Sequence, residues 1–321
     1  MDAPGDLVGA ELIGRRVALR HRVDAGRVTD AVGELADGGA DAVVVHTRRG
    51  PVRVARSAVV AIRAIPPPVP RRASWTAVAE LEHRCADAWP ARVDRPLGAW
   101  RLRAAGGFTG RANAALALGD PGVPVPAALD AVRAFAAAHG IAPRVHAPLG
   151  SPWDRAVAAA GWVLDAGHAA GAEVAVLVAD VDRLVAAGGD HPAAVLLTER
   201  PGDAWWAQAL GRDPAPAERG VLDPGPPLPT AFGLVPDAGA VRAAVVGEHL
   251  HLSRLSVRPD ARRAGLGTRL TAAAAAWGRD RGARWAVLQV ALHNTAARAL
   301  YRRLGAVEHH RYRYLVPPAD S

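Results

Sequence analysis

Residues 261–270 read ARRAGLGTRL, two glycines one residue apart with three arginines around them, at the start of a helix-forming run. The preceding LHLSRLSV (250–257) alternates as a strand does, and RPD (258–260) turns the chain. TRLTAAAAAWGRDRG then continues as an alanine-rich helix that Gly282 is placed to stop. A strand entering a glycine loop that opens a helix is an anion site. Amides of the loop and first turn point outward unpaired, the helix dipole adds positive potential, and absent side chains let phosphate oxygens approach. A Walker-type loop requires a lysine, and this chain contains none, so all 39 of its basic residues are arginine. The dinucleotide fingerprint requires a third glycine where Leu270 stands. What fits is R-x-x-G-x-G.

Downstream, ARWAVLQVAL (283–292) predicts a buried strand, and HNTAARALYRRLGA a helix capped by Asn294, running to Leu304 and closed by Gly305. Tyr301 lies seven residues after Asn294, two helical turns on, and so on a related face. By itself Tyr301 reads equally as a half-buried aromatic beside Leu300 and Leu304 on a packing face.

Arg262-Arg263-Ala264-Gly265-Leu266-Gly267 resembles the acetyl-coenzyme A loop of the GNAT superfamily of N-acetyltransferases. The order Asn294, Leu300-Tyr301, Leu304-Gly305 is similar to that family's Asn…LY..LGF segment, with Ala306 where phenylalanine is usual. The resemblance covers roughly residues 190–318, with the preceding half as a degenerate echo. It implies acetyl-CoA as co-substrate, its pyrophosphate held by Gly265, Gly267 and the flanking amides of Ala264, Leu266 and Thr268. Arg262 or Arg263 would add charge-assisted contacts. It further implies that the backbone of Leu255, Ser256 and Val257 faces the pantetheine, that Asn294 contacts the cofactor arm, and that Tyr301 is the general acid. Some members place a glutamate base eleven positions before the loop's first residue; here that position is His251, with Glu248 as competitor. A histidine satisfied within its strand is the third reading of His251.

For the acceptor, GGFTGRANAALALGD (106–120) offers Thr109, Arg111 and Asn113 alternating on one face of a strand, a row suited to a carboxylate or polar amine and equally to solvent. A small barrel followed by paired GNAT halves containing GFTxRAN resembles a group of actinobacterial acetyltransferases, variously described as N-acetylglutamate synthases or histone-type enzymes. That likeness implies an amino acid such as glutamate, its carboxylates met by Arg111 and Arg103, or a protein lysine. A non-catalytic module that senses acetyl-CoA is the alternative from another class.

These residues require positioning elements. Residues 12–65 alternate with period two, RVALRHRV placing Val17, Leu19, His21 and Val23 on one face, and an Arg49–Gly50 turn suggests a hairpin. Short strands in so small a segment predict a barrel (1–66), which resembles a Src-homology-3-like domain. A proline-rich linker follows over 67–73 (PPPVP occupies 66–70), then a degenerate GNAT-like half over 74–185 and the GNAT domain over 186–321. The expected class is α+β: a small β-barrel, then a tandem GNAT α/β fold on a mixed central sheet.

The net charge of +8 comes from scattered arginines, so a nucleic-acid partner is not expected; Arg15, Arg16, Arg20 and Arg22 in the barrel are the residues that could bind one. Cys85, the single cysteine, excludes an intrachain disulfide and a Cys-based zinc site, and His249, His293, His309 and His310 lack metal-ligand spacing, so no metal is expected. The acidic start MDAPGDLVGAEL does not read as a signal peptide, and no apolar run reaches the roughly twenty residues of a span, so a cytoplasmic protein acting on a small amine is expected. Oligomeric state is not encoded in any motif.

Overall fold

The computed structural model describes residues 7–24, 26–37, 39–47, 50–65, 73–189 and 195–318. The chain forms two compact units, Met1–Arg71 and Arg72–Ser321. The PPPVP segment lies outside the described residues.

The first unit is an antiparallel sheet of β1 (Arg16–Asp24), β2 (Arg27–Asp37), β3 (Ala42–Thr47), β4 (Gly50–Ala55) and β5 (Val59–Ala64), in the order β4-β3-β2-β1-β5. Thr47 pairs with Gly50 across the β3–β4 hairpin, while Arg49 of the expected turn lies outside the described residues. Val17, Leu19, Leu35, Val43 and Val54 form the core on one face. The closed barrel expected here does not form. β4 and β5 do not pair; a 3₁₀ turn, Arg56–Ala58, joins them. The apolar alternation of β1 also lapses after Leu19, where a bulge shifts the β1–β5 register at His21 and Val23 is left exposed.

In the second unit come α1 (Trp75–Ala88), β6 (Val93–Leu97), β7 (Trp100–Ala104), β8 (Ala115–Leu116), α2 (Val125–Ala138), β9 (Val145–Pro148), α3 (Pro152–Ala159), β10 (Val163–Leu164) and β11 (Glu173–Asp180). Then follow α4 (Val181–Ala186), β12 (Leu196–Thr198), α5 (Asp203–Leu210), α6 (Pro216–Leu222), β13 (Thr230–Val235), β14 (Gly239–Val246), β15 (His249–Val257), α7 (Leu266–Arg279), β16 (Trp285–Ala291), α8 (Thr295–Arg303) and β17 (Val307–Val316). Ser74 starts α1 by accepting from the Ala77 amide. Among the described residues no helix is long and apolar enough to cross a membrane.

One mixed sheet runs through this unit in the order β12-β13-β14-β15-β16-β11-β17-β9-β8-β7-β6, with β10 on β17. Two neighbouring pairs are parallel, β15 with β16 and β8 with β9, one in each half. Strand β11 inserts between β16 and β17, pairing antiparallel with both. Its sequence EVAVLVAD is a near-continuous apolar run, as a strand covered on both faces requires. Strands of both halves therefore share one sheet.

Two buried layers cover this sheet. Leu270, Ala274 and Ala275 of α7 pack on Leu250, Leu252, Leu288 and Val290. Leu81 and Cys85 of α1 pack with Val176, Val287 and Tyr312 in a second cluster. The strand expected over 106–120 is mostly a turn. Gly106, Gly107 and Thr109 adopt positive φ, a 3₁₀ turn spans Gly110–Ala112, and only Ala115–Leu116 pair as strand. Thr109, Arg111 and Asn113 thus do not alternate along one strand face.

Candidate functional site

The sequence around residue 260 builds a strand, a turn and a helix. β15 pairs with β14 as far as Val257, but with β16 only from His249↔Trp285 to Leu252↔Leu288. From Ser253 onward the β16-side edge of β15 has no strand partner, so the two strands part. The β14–β15 register slips between Ala240 and Arg242, and Arg254 takes φ 53°. One residue of β14 therefore faces two of β15, a bulge that twists the strand where the gap opens.

Past β15, Pro259–Ala261 make a 3₁₀ turn, Arg262 donates from Nε to the Val257 carbonyl at 3.2 Å, and Arg263 and Gly265 adopt φ of 63° and 76°. Gly265 is the N-cap of α7 and supplies no capping side chain. Among the described residues, the amides of Arg263 through Thr268 donate to no backbone carbonyl outside the helix, and the first turn cannot satisfy its own. Leu266 is buried and anchors the turn. A Cβ on Gly267 would come within 3.1 Å of Leu300 and 4.0 Å of Leu255. Bare amides, a helix dipole and a surface that stays open only with glycine suit a diphosphate. The residues expected to hold acetyl-CoA phosphates fit that group.

Helix α8 carries Tyr301. Asn294 caps it, its Oδ1 accepting from the Ala297 amide at 3.1 Å. Tyr301 is only 5% exposed and belongs to the same cluster as Leu255, Val257, Leu300 and the α7 residues. Burial pushes its phenol well above the usual value, so it stays protonated. Leu300 and Leu255, which pack on the cluster holding Tyr301, are also the side chains a Cβ at Gly267 would meet, so the glycine loop borders that cluster.

His251 belongs to a different network, with Arg111 and Trp89. It is 2% exposed, and its Nε2 lies 3.4 Å from Gln289 Oε1. Arg111 Nη1 donates to the same Oε1 at 3.0 Å, and the Arg111 guanidinium sits 4.4 Å from the centre of the Trp89 ring. Because Gln289 Oε1 accepts only, this contact makes His251 Nε2 the donor and leaves Nδ1, buried and without a partner, as a lone-pair acceptor. Burial, then the charges of Arg111 and Arg242, push the imidazole down to about 3. Unfolded, the same histidine takes a proton near pH 6.5. Between those values the unfolded chain binds the extra proton, so His251 leaves stability intact above about 6.5 and erodes it as pH falls toward 3. Replacing His251 by asparagine should spare about 2 kcal/mol of that acid loss near pH 5, read as a shallower decline of unfolding free energy than in the unmodified protein.

The remaining expected residues divide. Glu248 lies in the exposed turn before β15, at the end away from the loop, its carbonyl accepting from the Arg284 and Trp285 amides. Arg103 is buried apart from Arg111, donating to the Ala114 carbonyl and lying 3.4 Å from His146 Nδ1, in a network where Glu82 lies 3.2 Å from His146 Nε2 and accepts from His310 Nε2 at 2.8 Å. The two arginines therefore do not make a pair. Thr109 accepts from Trp89 Nε1 at 3.0 Å, and Asn113 is spent on the turn that carries it. Among the described residues no group of histidine, cysteine, aspartate and glutamate has the arrangement of a metal site.

The sequence reading missed Trp89, Gln289, Arg242 and Arg254. The available signal was a lone arginine inside the apolar strand AVRAAVVGE, a position that a solvated charge does not occupy.

Comparison with known proteins agrees with this geometry. The profile of a family described as "Probable histone acetyltransferase Rv0428c C-terminal" matches residues 76–315. A protein of Mycobacterium tuberculosis named "Probable histone acetyltransferase Rv0428c" is 32% identical over 320 residues, 96% of each chain. Among solved structures, a GCN5-related N-acetyltransferase from Kribbella flavida aligns with a TM-score of 0.56 at 20% identity, covering 75% of this chain and 96% of its own. With the diverging strand pair and the glycine turn in place, the chain belongs to the Rv0428c family, acetyltransferases of the GNAT type.

Proposed function

We propose that this chain is an acetyl-CoA-dependent N-acetyltransferase that acts on a primary amine by direct attack, with Tyr301 as general acid. The observation that carries the reading is that the unpaired amides of Arg263–Thr268 lie beside Leu255 and Leu300, which pack on the cluster holding the Tyr301 ring, next to the gap between β15 and β16. Bound in that cradle, acetyl-CoA supplies the acetyl group as an activated thioester. Gly265, Gly267 and the amides around them hold the diphosphate, and Arg262 and Arg263 add positive charge at its edge. The unpaired β16-side edge of Leu255–Val257 offers backbone hydrogen bonds along the gap. The Tyr301 hydroxyl donates its proton toward the departing sulfur.

On the acceptor side the neutral His251 Nδ1 has a free lone pair that can accept a hydrogen bond from the attacking nitrogen and orient it, while the proton that nitrogen sheds passes to water. With its pKa held so low, His251 does not extract a proton from a free ammonium; the amine must arrive neutral. A protein lysine is the second reading of the acceptor, and what favours it is the printed name of the mycobacterial relative.

Thiol release from acetyl-CoA, measured across a panel of amines and a lysine-rich peptide, tests the activity. Turnover with one class and not the other assigns the acceptor. No turnover with any, alongside tight acetyl-CoA binding, would leave a sensing module instead. In the same assay Gly267→Val should weaken acetyl-CoA binding about 10- to 100-fold, the loss of charge-assisted amide contacts. The fold should persist, because the Cβ at this position meets only the flexible ends of Leu300 and Leu255. Undiminished affinity in calorimetry would move the phosphate site elsewhere.

A further inference from the structure

Arg242 sits in the middle of β14 with no exposure at all. Its Nε donates to the Leu222 carbonyl at 2.7 Å and its Nη1 to the Ala88 carbonyl at 3.1 Å, while Nη2 is buried with no partner. A buried guanidinium without a carboxylate is among the costliest arrangements a core can hold, because desolvation is not repaid. The carboxylate that bears on it, Asp223, is engaged through Oδ2 with Arg200 and makes no ion pair with Arg242.

Two more arginines, Arg254 and Arg111, are half-buried and form no ion pair among the described residues. Arg254, on the bulge of β15, donates from Nη2 to the Ala209 carbonyl, and its Nε is buried and unpaired. The acid that bears on Arg254, Glu218, is held by Arg212. Arg111 donates to Gln289 and stacks on Trp89, whose ring centre also lies 5.2 Å from the Arg242 guanidinium. The charge of Arg111 disfavours the charged forms of both Arg242 and Arg254, so Arg111 lies within reach of each. Ser253, the cross-strand partner of Arg242, has a buried hydroxyl with no partner either. None of the three arginines forms an ion pair among the described residues. Beside them stands the free Nδ1 of His251, whose ring is 6.1 Å from that of Trp89.

We infer that Arg242, Arg254, Arg111 and Ser253 form a carboxylate site, and that the acceptor is an amine carrying a carboxylate, its anion seated on these donors and its nitrogen directed at His251. This rests on the reading of the chain as an N-acetyltransferase. Unused donors, Arg242 Nη2, Arg254 Nε and the Ser253 hydroxyl, lie on the neighbouring strands β14 and β15 beside guanidinium groups that form no ion pair among the described residues; a carboxylate answers both deficits at once. A lysine-rich protein tail meets the same charges with repulsion.

The test pairs amino acids with their decarboxylated amines, leucine with isopentylamine and glutamate with 4-aminobutyrate as the single-carboxylate control, alongside a lysine-rich peptide. Acceptors are compared by KM and kcat, and binding of carboxylates and of acetyl-CoA is followed separately by thermal shift. The carboxylate-bearing amine is expected to show a KM about 10- to 100-fold below that of its decarboxylated partner. Arg254→Met should abolish that ratio while leaving the acetyl-CoA shift unchanged; Arg111→Met serves as the second variant if Arg254→Met does not fold. Equal KM values for leucine and isopentylamine overturn the site, as does preferential acetylation of the lysine-rich peptide with no change in Arg254→Met. Should no amine turn over, the transferase reading fails. The carboxylate site is then decided by whether glutamate or leucine raises the melting temperature in the unmodified protein and ceases to in Arg254→Met.

Discussion

Tyr301→Phe is expected to lower kcat about 100- to 10,000-fold, the range lost when a positioned proton donor is removed. The substitution keeps the ring that packs with Leu300, Leu304 and the α7 residues, so the melting temperature and acetyl-CoA affinity should stay close to those of the unmodified protein. Only the hydroxyl goes. Its burial raises the phenol's pKa, which has a second consequence. The hydroxyl remains a donor through the whole neutral and mildly alkaline range, so kcat should show no falling limb there from tyrosine ionisation. Steady-state thiol release for both proteins, with a thermal shift on acetyl-CoA, reads these effects together. A variant with undiminished kcat would make Tyr301 a core aromatic and nothing more.

The loop and helix α8 were legible in the sequence because their function is local. Gly265 lies at a left-handed helix start, and Asn294 caps α8 by accepting from Ala297 three residues on; each is set by residues within about two turns of chain. The alanine-rich run after the loop likewise marked α7. What was not legible is what distant segments make together. Nothing in EVAVLVAD says that it pairs with β16 on one side and β17 on the other, because an apolar run fits any doubly covered strand. Arg103 and Arg111 are eight residues apart, and the family likeness assigned both to the carboxylates of one substrate. Yet the intervening turn sends Arg103 to His146 and Arg111 to Trp89 and Gln289, the latter 178 positions away in the chain. Closure of the first unit failed for the same kind of reason: alternation in β1 specifies a buried face, not which edges of the sheet meet.

That intervening turn is also where a substitution should cost the protein most stability. Asn113, 1% exposed, accepts with Oδ1 from the Ala105 and Gly107 amides at 2.7 and 2.9 Å. Its Nδ2 donates to the Phe108 and Thr109 carbonyls, both at 2.8 Å. One side chain thus replaces the backbone partners that a turn with positive φ at Gly106, Gly107 and Thr109 cannot supply for itself. Asn113→Ala removes four hydrogen bonds and leaves backbone groups unsatisfied in a partly buried turn. The expected loss is about 3–4 kcal/mol, a fall of roughly 10 °C in melting temperature for a unit of this size. Asn113→Asp should be nearly as severe, since it keeps the acceptors but sets a negative charge against two carbonyls. Because Thr109 receives the Trp89 indole and Arg111 lies over its ring, loosening the turn also displaces Arg111. The KM for a carboxylate-bearing amine should then rise in step with the instability. A raised KM with an unchanged melting temperature would instead show Asn113 touching the acceptor directly, as the bare sequence suggested.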